Sequence, residues 1–192
     1  MSQAGTIRLA GIVRESIVDG PGFRFTVFCQ GCPHHCPGCH NQQTHDFAGG
    51  KDVALSRILE EIDKNPLLSG VTFSGGEPFC QAGAFADLAE EVEKRGLDIV
   101  TFSGYTYEQL REKAETDEDT ARLLAHTWLL IDGPFKKEEK DLTLAFRGSR
   151  NQRIIDLNAT RKEGRLVLWE KKEEKRVTCK NNVQFVRVKS ML

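Results

Sequence analysis

A chain of 192 residues, 39% hydrophobic and 29% charged, has room for one ordinary core, in one domain with at most a small appendage. Its 27 Lys and Arg against 28 Asp and Glu leave a net charge of −1, so no global field points to nucleic acid or to a membrane surface. The opening MSQAGTIRLAGIVRES lacks the basic-then-apolar pattern of a signal peptide, and no apolar run is long enough to span a membrane, so a cytoplasmic protein is expected.

A first strand is expected over Thr6–Val13. A second is expected over Phe23–Gly31, where FRFTVFCQG alternates apolar and polar side chains and runs straight into a cysteine-rich loop. Asp52–Lys64 carries Leu55, Ile58, Leu59 and Ile62 at the spacing of an amphipathic helix. GVTFSGGEP reads as a short buried strand broken by two glycines and a proline. Phe85, Leu88, Ala89 and Val92 mark a second helix, ended by Gly96. LDIVTFSGY is another apolar strand, Tyr107–Ala125 an acid-rich helical region, and TWLLIDGPF a further strand.

This alternation predicts an α/β fold: a parallel sheet with right-handed crossovers, too short to close an eight-stranded barrel and therefore a partial (open) β/α barrel. Each strand ends in Gly, Ser or Asp (CQGC, SGGEP, SGY, IDGP), at the carboxyl edge where α/β folds place their chemistry. From Arg161 the character changes. RLVLWE, KRVTC and VQFVRV are short strand candidates between charged runs, which suggests a core over residues 1–160 and a small antiparallel extension over 161–192. The runs KKEEKD and EKKEEKR mix signs and read as solvated turns. Trp128 and Trp169 read as strand core.

Six cysteines are present, but a chain this long and this ordinary in composition needs no disulfide framework, and four of the six crowd between Cys29 and Cys39. The stretch GCPHHCPGCHN holds Cys32, Cys36 and Cys39 as C-x3-C-x2-C together with His34, His35 and His40. Thiolates at this spacing can converge on one centre. A structural zinc site wants four closed ligands, with His40 or Cys29 as the available fourth. A four-iron cluster held by three cysteines instead leaves one iron free for another ligand. On spacing alone both stay open. The glycine loop Ser74–Pro78, SGGEP, at the end of the next strand favours the cluster, because neither Gly75 nor Gly76 has a Cβ to keep a ligand away. Cys29 reads as a buried thiol on its strand, Cys80 as a thiol without an implied partner, and His34 and His35 as residues that shape or cover the loop.

Taken together, CPHHCPGC and GGEP resemble the cluster motif and the methionine-amino-group motif of the radical S-adenosylmethionine enzymes. The resemblance implies that Cys32, Cys36 and Cys39 hold a 4Fe–4S cluster whose unique iron is chelated by S-adenosylmethionine. It implies that Gly38, Cys39 and His40 pass along the cofactor, with His40 near the adenine, and that Gly75, Gly76 and Glu77 meet its methionine end. Four further stretches, VDGPGFR, TFSGYTYEQL, LIDGPF and FRGSRNQRIIDL, are similar to those of the activating proteins of anaerobic ribonucleoside-triphosphate reductase. That family implies a protein substrate: the large reductase subunit, on which a glycyl radical is made, with a flavodoxin-like electron donor and no side-chain general base. Where related activases carry an Asp and an Asp-x-Lys, this chain has Ser103-Gly104 and Asp132-Gly133-Pro134. Ser103 and Asp132 are accordingly candidate cofactor contacts, with Lys136 or Arg147 as substitutes for the missing lysine. Arg24, Arg147 and Asn151 are candidates for the cleft or the docking face. The alternatives are activation of another glycyl-radical enzyme, such as a pyruvate formate-lyase, a small radical enzyme acting on a free metabolite, and a zinc-binding interaction module.

Overall fold

The structure is a computed structural model and describes residues 5–170. Seven strands form one sheet in the order β3-β1-β2-β4-β5-β6-β7. Its centre is four parallel strands: β2 (Arg24–Cys29), β4 (Gly70–Gly75), β5 (Asp98–Phe102) and β6 (Leu129–Asp132). Antiparallel strands extend both sides, β1 (Thr6–Ser16) and β3 (Lys51–Ala54) on one, β7 (Arg153–Asp156) on the other. Among the described residues the outer strands β3 and β7 do not pair with each other, so the sheet stays unclosed and the expected open β/α architecture is what the chain adopts.

The helices are α1 (Leu55–Ile62), α2 (Ala82–Glu93), α3 (Tyr107–Ala114), α4 (Glu118–His126) and α5 (Leu157–Glu163). The apolar face of α1 buries Leu55, Ile58 and Ile62, and that of α2 buries Phe85, Leu88, Ala89 and Val92. These side chains join Phe25, Val27, Val71, Phe73, Ile99 and Leu130 from one face of the sheet in the main core. Phe25, Phe73 and Phe85 are at most 1% exposed, and each contributes roughly 2–3 kcal/mol by leaving water. The opposite face carries a smaller cluster, Val100, Leu129, Ile131 and Ile154, against which Trp128, Phe146 and Trp169 pack. Burial on both faces is why the central strands are so apolar.

Three local details differ from the sequence reading. Lys51–Ala54 is an edge strand, and the helix expected from Asp52 begins only at Leu55. The region 107–125 is two helices, because Asp117 caps a new one by accepting the N–H groups of Asp119 and Thr120. RIIDL is a strand followed by α5, which starts on the Asp156 cap, runs through residues 160 and 161, and stops at Gly164 with φ of +67°. Of the tail strands, RLVLWE makes one antiparallel bridge, Leu168 with Ile155. KRVTC, VQFVRV and Cys179 lie outside the described residues. No described helix is long and apolar enough to cross a membrane.

Candidate metal centre

Strand register assembles the site. In the parallel pairing Cys29 lies opposite Gly75, Phe73 opposite Thr101 and Phe102 opposite Ile131. The loops that follow, starting at Gln30, Gly76, Ser103 and Gly133, therefore leave the sheet side by side at its carboxyl edge. Four stretches separated by tens of residues in the chain become neighbours.

Cys32, Cys36 and Cys39 sit on the first of these loops as free thiols, Cys32 buried and the other two half-buried. The backbone N–H of Asn41 donates to the Cys39 sulfur at 3.4 Å. Burial pushes the Cys32 thiol up to about 11, against the pull of the His34 N–H, with Glu77 and the other two cysteines adding to the rise. Burial also raises Cys36. A bound cation reverses this balance and holds the thiolate form. Three free thiols on one loop are a donor set that fits an iron–sulfur cluster. Among the described residues no three His, Cys, Asp or Glu side chains are drawn in around a single ion, these three cysteines included.

The glycine loop packs on the cysteine loop. Gly76 donates its N–H to Cys29 O and Glu77 donates to Gly31 O, both at 2.8 Å. Gly75 has φ of +93°, and a Cβ there would stand 2.7 Å from Phe28 Cα. The faces left bare by these glycines are filled by the backbone leading into the cysteine loop, so close approach within the protein already requires both.

Glu77 is fully buried and is the hub of the site. Its carboxylate accepts the N–H of Phe79 (3.1 Å), the hydroxyl of Ser103 (3.0 Å) and the N–H of Gly104 (2.8 Å), and it stands 2.8 Å from His34 Nε2. Ser103 Oγ in turn accepts the N–H of Tyr105 at 3.0 Å. Asp132, 1% exposed, accepts the N–H of Tyr107 at 2.7 Å, which begins α3, and pairs with the guanidinium of Arg153. Both candidate cofactor contacts thus lie at the carboxyl edge with their polar atoms engaged by protein. Gly38 has φ of +76° and packs beside Phe135 and Lys137; the His40 ring lies 5.8 Å from that of Phe135. The loop after β6 therefore lies beside the cysteine loop, whose Gly38 and His40 remain exposed.

Other candidates fall elsewhere. Arg24 begins β2, at the end of the sheet opposite the cysteine loop, and is fully buried, donating to Thr72 Oγ1 (3.1 Å) and Val71 O (2.7 Å) and pairing with Asp98. It lines neither a cleft nor a docking face; an arginine in a Pro-Gly-rich turn is here a structural tie. Asn151 donates to Pro134 O at 2.8 Å and Arg147 to Gln152 O at 3.0 Å, which fixes the β6–β7 loop beside the site. Lys136 is half-exposed and pairs with Glu139. Cys29 is buried, as read from its strand, and Cys80 is exposed. The tie of His34 to Glu77 and the partnership of Arg153 with Asp132 were not read from the sequence. No periodicity links positions so far apart; only the strand register does.

The 4Fe-4S single cluster domain model matches residues 18–155. The anaerobic ribonucleoside-triphosphate reductase-activating protein of Vibrio cholerae is 35% identical over 146 residues, 72% of this chain and 90% of that protein. The chain belongs to this family. The corresponding protein of Escherichia coli K12 is 31% identical over 150 residues, 73% of this chain and 93% of its own length. A pyruvate formate-lyase-activating enzyme of Clostridium pasteurianum is 35% identical over 130 residues, but only 50% of that longer enzyme is covered. Among solved structures, QueE from E. coli covers 53% of the chain with a TM-score of 0.42 and 18% identity, too distant to argue from.

Proposed function

We propose that the chain activates anaerobic ribonucleoside-triphosphate reductase by making a glycyl radical on it. A bound 4Fe–4S cluster with S-adenosylmethionine would supply one-electron reductive cleavage of the sulfonium, and with it the radical needed to take a hydrogen atom from a glycine Cα of the partner. Cys32, Cys36 and Cys39 would hold the cluster, three ligands that leave a place for S-adenosylmethionine. The cysteine loop, the glycine loop and the Ser103 turn hold these thiols at the carboxyl edge of the sheet. Gly38, His40 and the Phe135 loop flank the site. No side chain is needed as a general base.

The observation that carries this reading is the Cys29–Gly75 register, which seats a three-thiol loop on a GGE loop in a chain related over nine tenths of their length to proteins named as such activators. A second reading, activation of a pyruvate formate-lyase, is favoured by the match to the Clostridium enzyme. Anaerobic incubation with the reductase, S-adenosylmethionine and a reductant, reduced flavodoxin being the proposed donor, should give the doublet of a glycyl radical by electron paramagnetic resonance. A doublet on pyruvate formate-lyase and none on the reductase would select the second reading.

A further inference from the structure

The middle of the cysteine loop, residues 33–38, contains no helix or strand. Its ends are tied by backbone bonds, Gly31 N–H to Thr44 O at 2.8 Å and Cys32 N–H to His45 O at 3.2 Å. Between Cys32 and Cys36 the conspicuous tie is a side chain. His34 points inward, its Nε2 2.8 Å from the buried carboxylate of Glu77 and its ring edge-on to Tyr105 with centroids 4.4 Å apart. Glu77 belongs to the loop after β4, and its other donors, Ser103 and Gly104, to the loop after β5. One carboxylate thus joins three loops, and His34 is the only side chain that brings the cysteine loop to it among the described residues.

Gly104 makes room for this. Its backbone is not in the left-handed region, so alanine is conformationally allowed there. Yet a Cβ would stand 2.6 Å from His34 Nε2 and 2.7 Å from its Cγ, and the three nearest atoms it would meet all belong to that ring.

We propose that His34 and Glu77 form a latch that holds the Cys32–Cys36 segment in place in the metal-free chain, so that the three thiols are ordered before a cluster is built. His34 is a positioning residue and not a ligand. The purpose assigned to the latch rests on the cluster reading above; its existence does not. Ordering a loop costs conformational entropy, and a charge-assisted hydrogen bond to a buried carboxylate offsets that cost where backbone bonds are missing.

The test is hydrogen–deuterium exchange of the metal-free chain at the loop's hydrogen-bonded amides, Cys32 (to His45 O) and Cys39 (to Cys36 O), with iron loss to a chelator from the reconstituted protein as second readout. His34→Ala should speed exchange about tenfold or more, the factor expected when a hydrogen bond to a charged group is lost. His34→Gln, which keeps an N–H at similar reach, should restore most of the protection. Gly104→Ala should speed exchange as His34→Ala does, and adding it to His34→Ala should change nothing further, because the ring it strikes is gone. Iron should leave His34→Ala faster than the unaltered protein. Unchanged exchange in His34→Ala overturns the latch, whatever happens to the iron, and so does a Gly104→Ala effect that persists in full without the histidine. Faster exchange in a protein that takes up no cluster leaves the latch standing and overturns the cluster reading.

Discussion

The backbone N–H of Glu77 donates to the carbonyl of Gly31 at 2.8 Å, and this bond joins the two loops on which the candidate chemistry rests. Between its partners lies Gly76, where a Cβ would stand 2.9 Å from the carbonyl carbon of Gly31 and 3.1 Å from Cys29 O. Backbone on that side cannot move without carrying Cys32 with it. Gly76→Ala should therefore cost about 1–3 kcal/mol of stability, as overpacking does, and should lower the iron bound per chain. Gly11, with nothing within 4 Å of its Cβ position, is the contrast: Gly11→Ala should stay within about 0.5 kcal/mol and bind iron normally. Chemical denaturation and iron analysis of the two variants check this.

Arg24 is fully buried and pairs with Asp98, whose side chain is 39% exposed. Its guanidinium also satisfies Thr72 Oγ1 and the Val71 carbonyl. Arg24→Met should destabilise the metal-free chain by about 3 kcal/mol, at the low end for breaking a buried pair because water reaches Asp98. Urea unfolding measures it. A variant as stable as the parent would remove the structural account of the VDGPGFR turn.

The core order of strands and helices was legible because the apolar spacing of α1 and α2 and the glycine-ended strands follow local rules. The cysteine and glycine loops were legible as chemistry for the same reason: their spacing is local. What the sequence left open depends on pairing across the sheet. The edge strand Lys51–Ala54 is four residues long, too short for a period to register, and exists by its bond to β1. Glu77 was read as a cofactor contact, yet its carboxylate meets Phe79, Ser103, Gly104 and His34 within the protein. Asp132 likewise meets Arg153, twenty-one positions on, through a strand pairing that no motif announces.

Glu108 offers a pH-dependent prediction. A hydrogen bond from Arg153 holds its carboxyl down to about 2, against the opposing effect of burial. The unfolded value is near 4.3, so the folded chain binds the proton less readily, and the stabilisation is complete above about pH 5. It is lost as pH falls from there through about 2. The Glu108 side chain is 62% exposed, so solvent screening holds the pair to under about 1 kcal/mol. Glu108→Gln should be slightly less stable than the parent at pH 7, and the gap should close by pH 2. A gap that stays constant across this range would show that the pair contributes nothing.

The most direct measurement is iron and sulfide per chain after anaerobic reconstitution, with electron paramagnetic resonance after reduction, on the parent and on five single variants. The parent should carry one reducible 4Fe–4S cluster, and Cys32→Ala, Cys36→Ala and Cys39→Ala should each lose it together with 5′-deoxyadenosine formation. Cys29→Ala and Cys80→Ala should keep both. Stoichiometric zinc with no reducible signal in the parent, or loss of the cluster in Cys29→Ala or Cys80→Ala, would contradict a cluster held by these three cysteines.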